Sequence, residues 1–213
     1  VIIKYMILII DCSRGLNLII GNKKNILATI SRPNLKKVSE SLIIEVQKIL
    51  NTVNKRYNNL SKIIVINGPG SFTGVRTAVT TAKILGLSLN IPVCGISLFD
   101  LLKIHHAKLN NKTKQKIFIH LNNSSFFSQD LLKSGKNSEI ELINLSAELK
   151  LQLSACDVVS NSPKIRKYIK MTKDKLKKED IFIYSDLFIK AYITLISLNE
   201  KKYIPNPIYV KTF

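Results

Sequence analysis

A loop rich in glycine and proline, residues 67–76, is the feature that most constrains this chain. It reads Asn-Gly-Pro-Gly-Ser-Phe-Thr-Gly-Val-Arg and joins an apolar run at 62–66 to a segment at 73–89 with the pattern of a helix. Glycine is favoured where the backbone adopts positive φ or approaches another group closely, and proline fixes φ. The sequence therefore predicts a tight strand-to-helix connection, in which Ser71 and Thr73 are suitable helix caps.

Two interpretations of this loop remain open. A strand, a glycine turn and a helix N-terminus together can form a phosphate site, but no Gly-Lys-Ser/Thr follows, and the glycines are spaced GxGxxxG instead of GxGxxG. The residues alone favour the alternative, a structural turn that lets the helix pack closely on the sheet. The candidates for contact with a nucleotide are Asp11, Ser13, Gly68, Gly70, Ser71, Thr73, Gly74 and Arg76.

Small residues recur every four positions along the predicted helix, at Gly74, Ala78, Ala82 and Gly86. That spacing places them on one face, and a face of small side chains lets another helix or a sheet come close. Such a face is unusual for a helix surrounded by solvent. We therefore expect this helix either to be buried within its own domain or to meet a partner.

The composition fits a globular protein with a strong positive charge. The chain has 213 residues, 46% of them hydrophobic, and this length and composition suit one large domain or two small lobes. Its formal net charge is +19. The charge comes mostly from lysine (28 Lys and 5 Arg), so it indicates either affinity for nucleic acid or the codon bias of an AT-rich genome. Three widely spaced cysteines, Cys12, Cys94 and Cys156, favour a reducing, cytoplasmic setting, and no apolar run predicts a membrane span.

The first half of the chain predicts three strands, then helix, strand, helix, strand and helix. A meander that leads into a βαβ unit favours a mixed sheet covered by helices. This is the order of an actin-like ATPase or ribonuclease H-like lobe, and the alternative is a generic open α/β sheet. The predicted strands are 6–11, 16–21, 25–30, 62–67 and 92–96, and the predicted helices are 38–56, 73–89 and 97–104, with Asn34 or Ser39 as cap of the first helix.

The second half is less regular, and we assign it to a degenerate second lobe. We place the boundary in the polar segment at 107–116, giving an N-terminal lobe at 1–106 and a C-terminal lobe at 107–213. An extended tail at 205–211 is predicted from its prolines. The predicted strands are 116–121, 125–132 and 157–159, and the predicted helices are 147–153, 163–171 and 186–198.

The residues that could carry chemistry are few. Asp11 ends the first strand, where an acid in actin-like folds commonly holds a metal-bound nucleotide, although a turn-capping role is favoured on the residues alone. His105 and His106 are adjacent and so point to different faces of a helix, and His120 is distant. No GxSxG elbow, Cys–His pair or paired carboxylates stand out. The sequence predicts no metal site and no catalytic constellation.

Four segments together resemble the TsaB (YeaZ) family. They are the strand at 7–13 (Ile-Leu-Ile-Ile-Asp-Cys-Ser), the Gly-Pro-Gly-Ser-Phe-Thr-Gly-Val-Arg run at 68–76, Ala-Lys-Ile-Leu-Gly-Leu at 82–87, and Ile-Pro-Val-Cys-Gly-Ile-Ser at 91–97. The resemblance covers residues 6–100 well. The second lobe departs from it, because His-Leu-Asn at 120–122 stands where the family carries Asp-Ala-Arg.

This resemblance implies an actin-like two-lobe fold without metal ligands, in a non-catalytic subunit of the machinery that makes threonylcarbamoyladenosine in tRNA. It implies pairing with the catalytic subunit TsaD through the two N-lobe helices. It also implies that TsaE and a nucleotide (ATP or ADP) join the assembly and that tRNA is reached indirectly through the complex. A homodimer of the chain alone is a further option. The runner-up is a free-standing actin-like ATPase or kinase-like enzyme. The interface residues expected on these helices are Leu42, Val46, Ile49, Val75, Ala78, Val79, Ala82 and Gly86.

Overall fold

The computed structural model divides the chain into two compact units. It describes residues 5–33, 35, 37–106, 115–120, 125–131, 138–144, 157–160, 195 and 204–209. The first unit comprises Val1–Leu98 with Ala191–Tyr209, and the second comprises Phe99–Lys190 with Val210–Phe213. The division falls eight residues before the predicted boundary, since it separates residues 98 and 99 instead of 106 and 107. The last part of the first unit, Ala191–Tyr209, belongs to the region that the sequence analysis assigned to the C-terminal lobe.

The first unit contains a five-stranded mixed sheet of order β3-β2-β1-β4-β5. β1 pairs antiparallel with β2, and β2 with β3, as the two short turns require. β4 lies parallel to β1, and β5 parallel to β4. All five predicted strands are confirmed, each within two residues at either end. The strands are β1 (Met6–Asp11), β2 (Leu16–Gly21), β3 (Ile26–Arg32), β4 (Leu60–Ile66) and β5 (Val93–Ile96).

Two helices, α1 (Val38–Thr52) and α2 (Phe72–Leu89), belong to the same unit. α1 follows Lys37 with no side-chain cap, so Ser39 is wrong as a cap because it lies inside the first turn, and Asn34 lies outside the described residues. α1 also ends four residues earlier than predicted. α2 is capped by Ser71, as predicted, whereas Thr73, the other predicted cap, lies inside the helix. The helix ends at Asn90 in the left-handed conformation, a common helix stop.

The core of this unit lies between the sheet and the two helices. Alternate residues of β1, such as Leu8 and Ile10, are fully buried against Val46 of α1 and Ala78 of α2. The intervening residues of the central strands are buried as well, for example Ile9, which is 1% exposed. Burial on both faces explains why these strands read as continuous apolar runs instead of alternating patterns.

The second unit contains a four-stranded mixed sheet of order β8-β7-β6-β9. β6–β7 and β7–β8 are antiparallel and β6–β9 is parallel, which repeats the arrangement β3-β2-β1-β4 of the first unit. β8 was missed by the sequence analysis because four residues, Glu-Leu-Ile-Asn, carry too short a pattern. The strands are β6 (Gln115–His120), β7 (Ser125–Leu131), β8 (Glu141–Asn144) and β9 (Asp157–Ser160), and the helix α3 (Leu98–His106) lies in this unit from Phe99 onward.

The remaining predictions concern parts of the chain that are only partly described. The helices predicted at 147–153 and 163–171 lie outside the described residues, and of 186–198 only Leu195 is described, as a buried helical residue. The tail at 204–209 is neither helix nor strand. Among the helices described, none is long and apolar enough to cross a membrane.

Candidate functional site at the glycine loop

The glycine loop, residues 67–71, joins β4 to α2 and lies directly against the end of β1. A Cβ on Gly70 would stand 2.5 Å from Cβ and 2.7 Å from the carbonyl oxygen of Ser13. A Cβ on Gly74 would overlap the carbonyl oxygen of Cys12. The Ser71 N–H donates to the Ser13 carbonyl at 2.8 Å. These two glycines are therefore required by the approach of two stretches of backbone within the chain.

The backbone of the loop is also bonded to two other segments. The Asn67 N–H donates to the Ile96 carbonyl at 3.0 Å, and the Gly68 carbonyl accepts from the Leu98 N–H at 2.7 Å. The Asn67 carbonyl accepts from the Ile208 N–H at 2.7 Å, which ties the C-terminal tail to the loop. Gly68 has a φ of +113°, a conformation that side chains other than glycine rarely adopt. The loop is thus a junction between β1, β5 and the tail.

The N-terminus of α2 uses part of its own hydrogen-bonding capacity internally. The Ser71 hydroxyl accepts from the Gly74 N–H at 3.3 Å, and the Val75 N–H bonds to the Ser71 carbonyl at 2.8 Å. Thr73 and Arg76 are exposed, and the Arg76 guanidinium lies over the Phe72 ring, 4.5 Å from its centroid. The predicted loop residues therefore lie near one another, but the side chains of Thr73 and Arg76 are exposed to solvent.

Asp11 is the acidic residue beside this junction. Its side chain is 1% exposed, and Oδ1 accepts from the Ser13 N–H at 2.8 Å. Oδ2 is buried without a hydrogen-bond partner among the described residues. Burial raises the pKa of Asp11 from 3.8 to about 6, against the lowering effects of the Ser13 hydrogen bonds and the Arg14 charge. Such a carboxyl can change its protonation state near neutral pH.

The thiols and imidazoles offer little to this site. Cys12 is fully buried, and burial raises the pKa of its thiol, so it is held in the unreactive protonated form. The side chains of His105, His106 and His120 lie outside the described residues. Within the part of the chain that the structure describes, no group of three or more His, Cys, Asp or Glu could hold a metal ion.

The eight predicted interface residues lie in the core of their own unit. Each of the seven with side chains is at most 2% exposed, and a Cβ on Gly86 would overlap a methyl group of Val93. The assignment of these residues to a partner surface is therefore corrected. The stripe of small residues lets α2 pack closely on its own sheet, which is the first of the two options that the pattern left open. The residues concerned are Leu42, Val46, Ile49, Val75, Ala78, Val79, Ala82 and Gly86.

The apolar residues that these two helices expose were missed by the sequence analysis. Ile43 and Ile44 of α1 are 48% and 56% exposed, and Ile84 and Leu87 of α2 are 58% and 86% exposed. We call these four residues the outer apolar face. A signal was present, because both helices carry apolar residues beyond the stripe that one buried face needs. We expect this face, not the stripe, to be available to a partner.

Comparisons with known proteins identify relatives of this chain. The family model described as TsaD, tRNA N6-adenosine threonylcarbamoyltransferase, matches residues 32–118. A protein of Buchnera aphidicola (Baizongia pistaciae strain), named tRNA threonylcarbamoyladenosine biosynthesis protein TsaB, is 32% identical over 171 residues, covering 75% of this chain and 74% of that protein. The Bacillus subtilis protein of the same name is 47% identical over 57 residues, 27% of this chain.

The share of each relative that is matched differs widely. The match spans 25% of the Bacillus subtilis protein and 46% of the TsaB of another Buchnera aphidicola (Schizaphis graminum strain). Among solved structures, YeaZ from Pseudomonas aeruginosa superposes with a TM-score of 0.60 at 16% identity, covering 97% of this chain and all of that one. The fold is the α/β fold of YeaZ, with mixed sheets and helices, which confirms the predicted α/β class. The chain belongs to the TsaB (YeaZ) family.

Proposed function

We propose that this chain is a non-catalytic dimerization and scaffold subunit that pairs with the catalytic subunit TsaD in forming threonylcarbamoyladenosine in tRNA. The relatives named for this biosynthesis support the pathway. The observation that carries the pairing role is the outer apolar face, four exposed isoleucine and leucine side chains on adjacent helices. Complete burial of such a side chain is worth roughly 1.5–3 kcal/mol, and these side chains forgo the share that corresponds to their exposed fraction. Exposed apolar residues of this kind can mark an interaction surface.

The family match supports a partner of similar shape. The TsaD model matches residues 32–118, the part of the chain that contains both α1 and α2. A TsaD partner would therefore carry corresponding helices, and two such pairs can pack as a small helical bundle related by an approximate two-fold axis. The same geometry would allow two copies of this chain to pair. The homodimer and the heterodimer then compete for one surface.

The other parts of the proposal follow from the family. The chain has no cofactor of its own, ATP or ADP is bound in the assembled complex, TsaE joins that complex, and tRNA is reached through it. The buried Oδ2 of Asp11 without a described partner favours the alternative, a free-standing ATPase. Against that alternative, Asp11 is 1% exposed, and the glycines beside it are occupied by contacts to the backbone of Cys12 and Ser13.

Mixing the chain with its cognate TsaD tests the pairing. We expect light scattering coupled to size-exclusion chromatography to show a one-to-one complex, measured with and without ATP. Leu87→Glu places a charge on the most exposed residue of the outer apolar face and should weaken the complex at least about tenfold, as expected for a central interface residue. Leu27→Glu, at a side chain 44% exposed on β3, is the matched control.

The outcomes separate the two functions. A complex that survives Leu87→Glu as well as Leu27→Glu would remove the outer apolar face as the interface. No complex at all, together with ATP hydrolysis by the isolated chain that is lost in Asp11→Asn, would replace the scaffold proposal with the ATPase. Asn is chosen because its Oδ1 can still accept the Ser13 N–H.

A further inference from the structure

An exposed group of aromatic and cationic side chains lies at the start of α2. Phe72 is 57% exposed and Tyr209 is 51% exposed, and their ring centroids are 5.2 Å apart at 38°. The Arg76 guanidinium carbon lies 4.5 Å from the centroid of the Phe72 ring. We call these three residues the aromatic platform. None of them belongs to the outer apolar face or to the buried core.

The platform is held in place by the junction beneath it. Tyr209 follows Ile208, whose N–H bonds to the Asn67 carbonyl at 2.7 Å. The Lys83 ammonium donates to Asn206 Oδ1 at 3.0 Å, so α2 and the tail are joined at a second point. Phe72 is itself the first residue of α2. The backbone segments that carry the two rings are therefore tied to each other, so binding a further planar group would cost little backbone ordering entropy.

The stretch of chain that contains the glycine loop and α2 carries charge of one sign. Residues 46–99 contain no Asp or Glu. The cations of the same stretch are Lys48, Lys55, Arg56, Lys62, Arg76 and Lys83. The chain as a whole carries +19, and a field of this sign concentrates polyanions near the surface. Charge of this kind does not distinguish one polyanion from another, so the aromatic rings must supply the selectivity.

We propose that the aromatic platform binds an unpaired nucleobase of an RNA strand by stacking. Proteins that bind single-stranded nucleic acid combine a positively charged surface with aromatic rings on which bases stack, and RNA is commonly recognised through such splayed-out bases. The planar guanidinium of Arg76 can stack on a base or pair with a phosphate. This inference rests on the proposed role in tRNA modification, and it gives the chain an RNA contact of its own.

Fluorescence anisotropy of the full chain with a labelled single-stranded RNA of about 12 nucleotides tests the proposal. Phe72→Leu keeps an apolar side chain but removes the ring, and should weaken binding about tenfold or more with an unchanged salt slope. Arg76→Ala should lower that slope by about one. Arg76→Lys keeps the slope but still weakens binding, because only the planar group is lost. Leu27→Ala, an exposed apolar truncation on β3, should bind as the wild type does.

Three results would overturn the proposal. They are no binding by the wild-type chain, equal affinity for a fully paired RNA duplex, and affinity of Phe72→Leu within twofold of wild type. Measuring TsaD pairing on the same variants separates this inference from the proposed function. If Phe72→Leu loses pairing but keeps RNA binding, the platform is a protein contact. If Leu87→Glu abolishes pairing while RNA binding persists, both proposals stand.

Discussion

Replacing Gly70 by alanine tests whether the glycine loop exists for packing or for a ligand. The new Cβ would lie 2.5 Å, 2.7 Å and 2.8 Å from Cβ, carbonyl oxygen and Cα of Ser13. Ordinary contacts between such atoms are about 3.5–4.0 Å, so the two segments would have to separate by roughly 1 Å. None of the three atoms is the end of a flexible side chain, because all belong to the backbone or are attached to it.

The magnitude follows from three contributions. Overpacking of this kind costs about 1–3 kcal/mol. Weakening the Ser71 N–H to Ser13 carbonyl bond adds about 1 kcal/mol, and the lower entropy of the unfolded alanine chain returns about 0.4–1 kcal/mol. We expect Gly70→Ala to lower the free energy of unfolding by about 2 kcal/mol, and Tm by about 4–8 °C for a chain of this size.

Circular dichroism melting with and without ATP and Mg²⁺ measures this effect. Thr73→Ala is the control, because Thr73 is exposed and belongs to the predicted nucleotide-contact residues. This substitution should change the free energy of unfolding by no more than about 0.5 kcal/mol. The loss in Gly70→Ala should be the same with and without nucleotide. A Gly70→Ala chain as stable as wild type would refute the packing argument. If it also lost a nucleotide-dependent stabilisation that the wild type shows, the loop would be an anion site.

Other predictions concern the pH, the tail and the core. Because the folded pKa of Asp11 is raised to about 6, the folded state binds the proton more tightly. As the pH rises from about 4 to about 6, the free energy of unfolding should therefore fall by up to about 3 kcal/mol relative to that of Asp11→Asn. Urea unfolding measures this effect, and parallel pH dependences of the two proteins would contradict it. Gly95→Ala, whose Cβ would stand 2.5 Å from Cα of Pro205, should speed amide exchange of Ile208, whereas an Ile208 rate equal to wild type would show the tail is not held there. Ala82→Trp should unfold the chain at lower urea instead of only blocking pairing, and unchanged stability would restore Ala82 as a surface residue.

The first sheet could be predicted because its signals are local. Gly15 has a φ of +80° between β1 and β2, and Asn22 Oδ1 accepts from the N–H groups of Lys24 and Asn25 between β2 and β3. These are the residue types that tight turns require. The apolar runs between such turns have the lengths of strands. A local pattern of this kind fixes the element and its bounds without knowledge of the rest of the chain.

What the small-residue face of α2 packs against could not be predicted in the same way. The four-residue spacing from Gly74 to Gly86 identifies a face, but the same spacing suits a sheet or a partner helix. The decisive contact is between Gly86 and Val93 of β5, and it exists only once β5 has paired with β4. The resemblance to a family of paired proteins favoured a partner, and the three-dimensional packing reversed that assignment.

The contacts at the glycine-loop junction could not be predicted from the sequence for a related reason. Its backbone bond partner Ile208 lies 141 residues from Asn67, and no local pattern predicts such a pairing. The prediction of a structural turn was nevertheless sound, because Gly70 and Gly74 have no room for a side chain. The sequence did not predict that the segment at Cys12 and Ser13 occupies the space beside these two glycines.

The repeated sheet order shows that topology and strand-end residues can differ independently in this chain. β3-β2-β1-β4 and β8-β7-β6-β9 share one arrangement, in which β1 and β6 occupy the same place, and both are six residues long. β1 ends on Asp11, whereas β6 ends on His120. The two sheets therefore keep one topology, while the residue that ends the corresponding strand differs in chemical type. Because strand pairing is carried by the backbone, the order of a sheet does not depend on the side chain at the end of a strand.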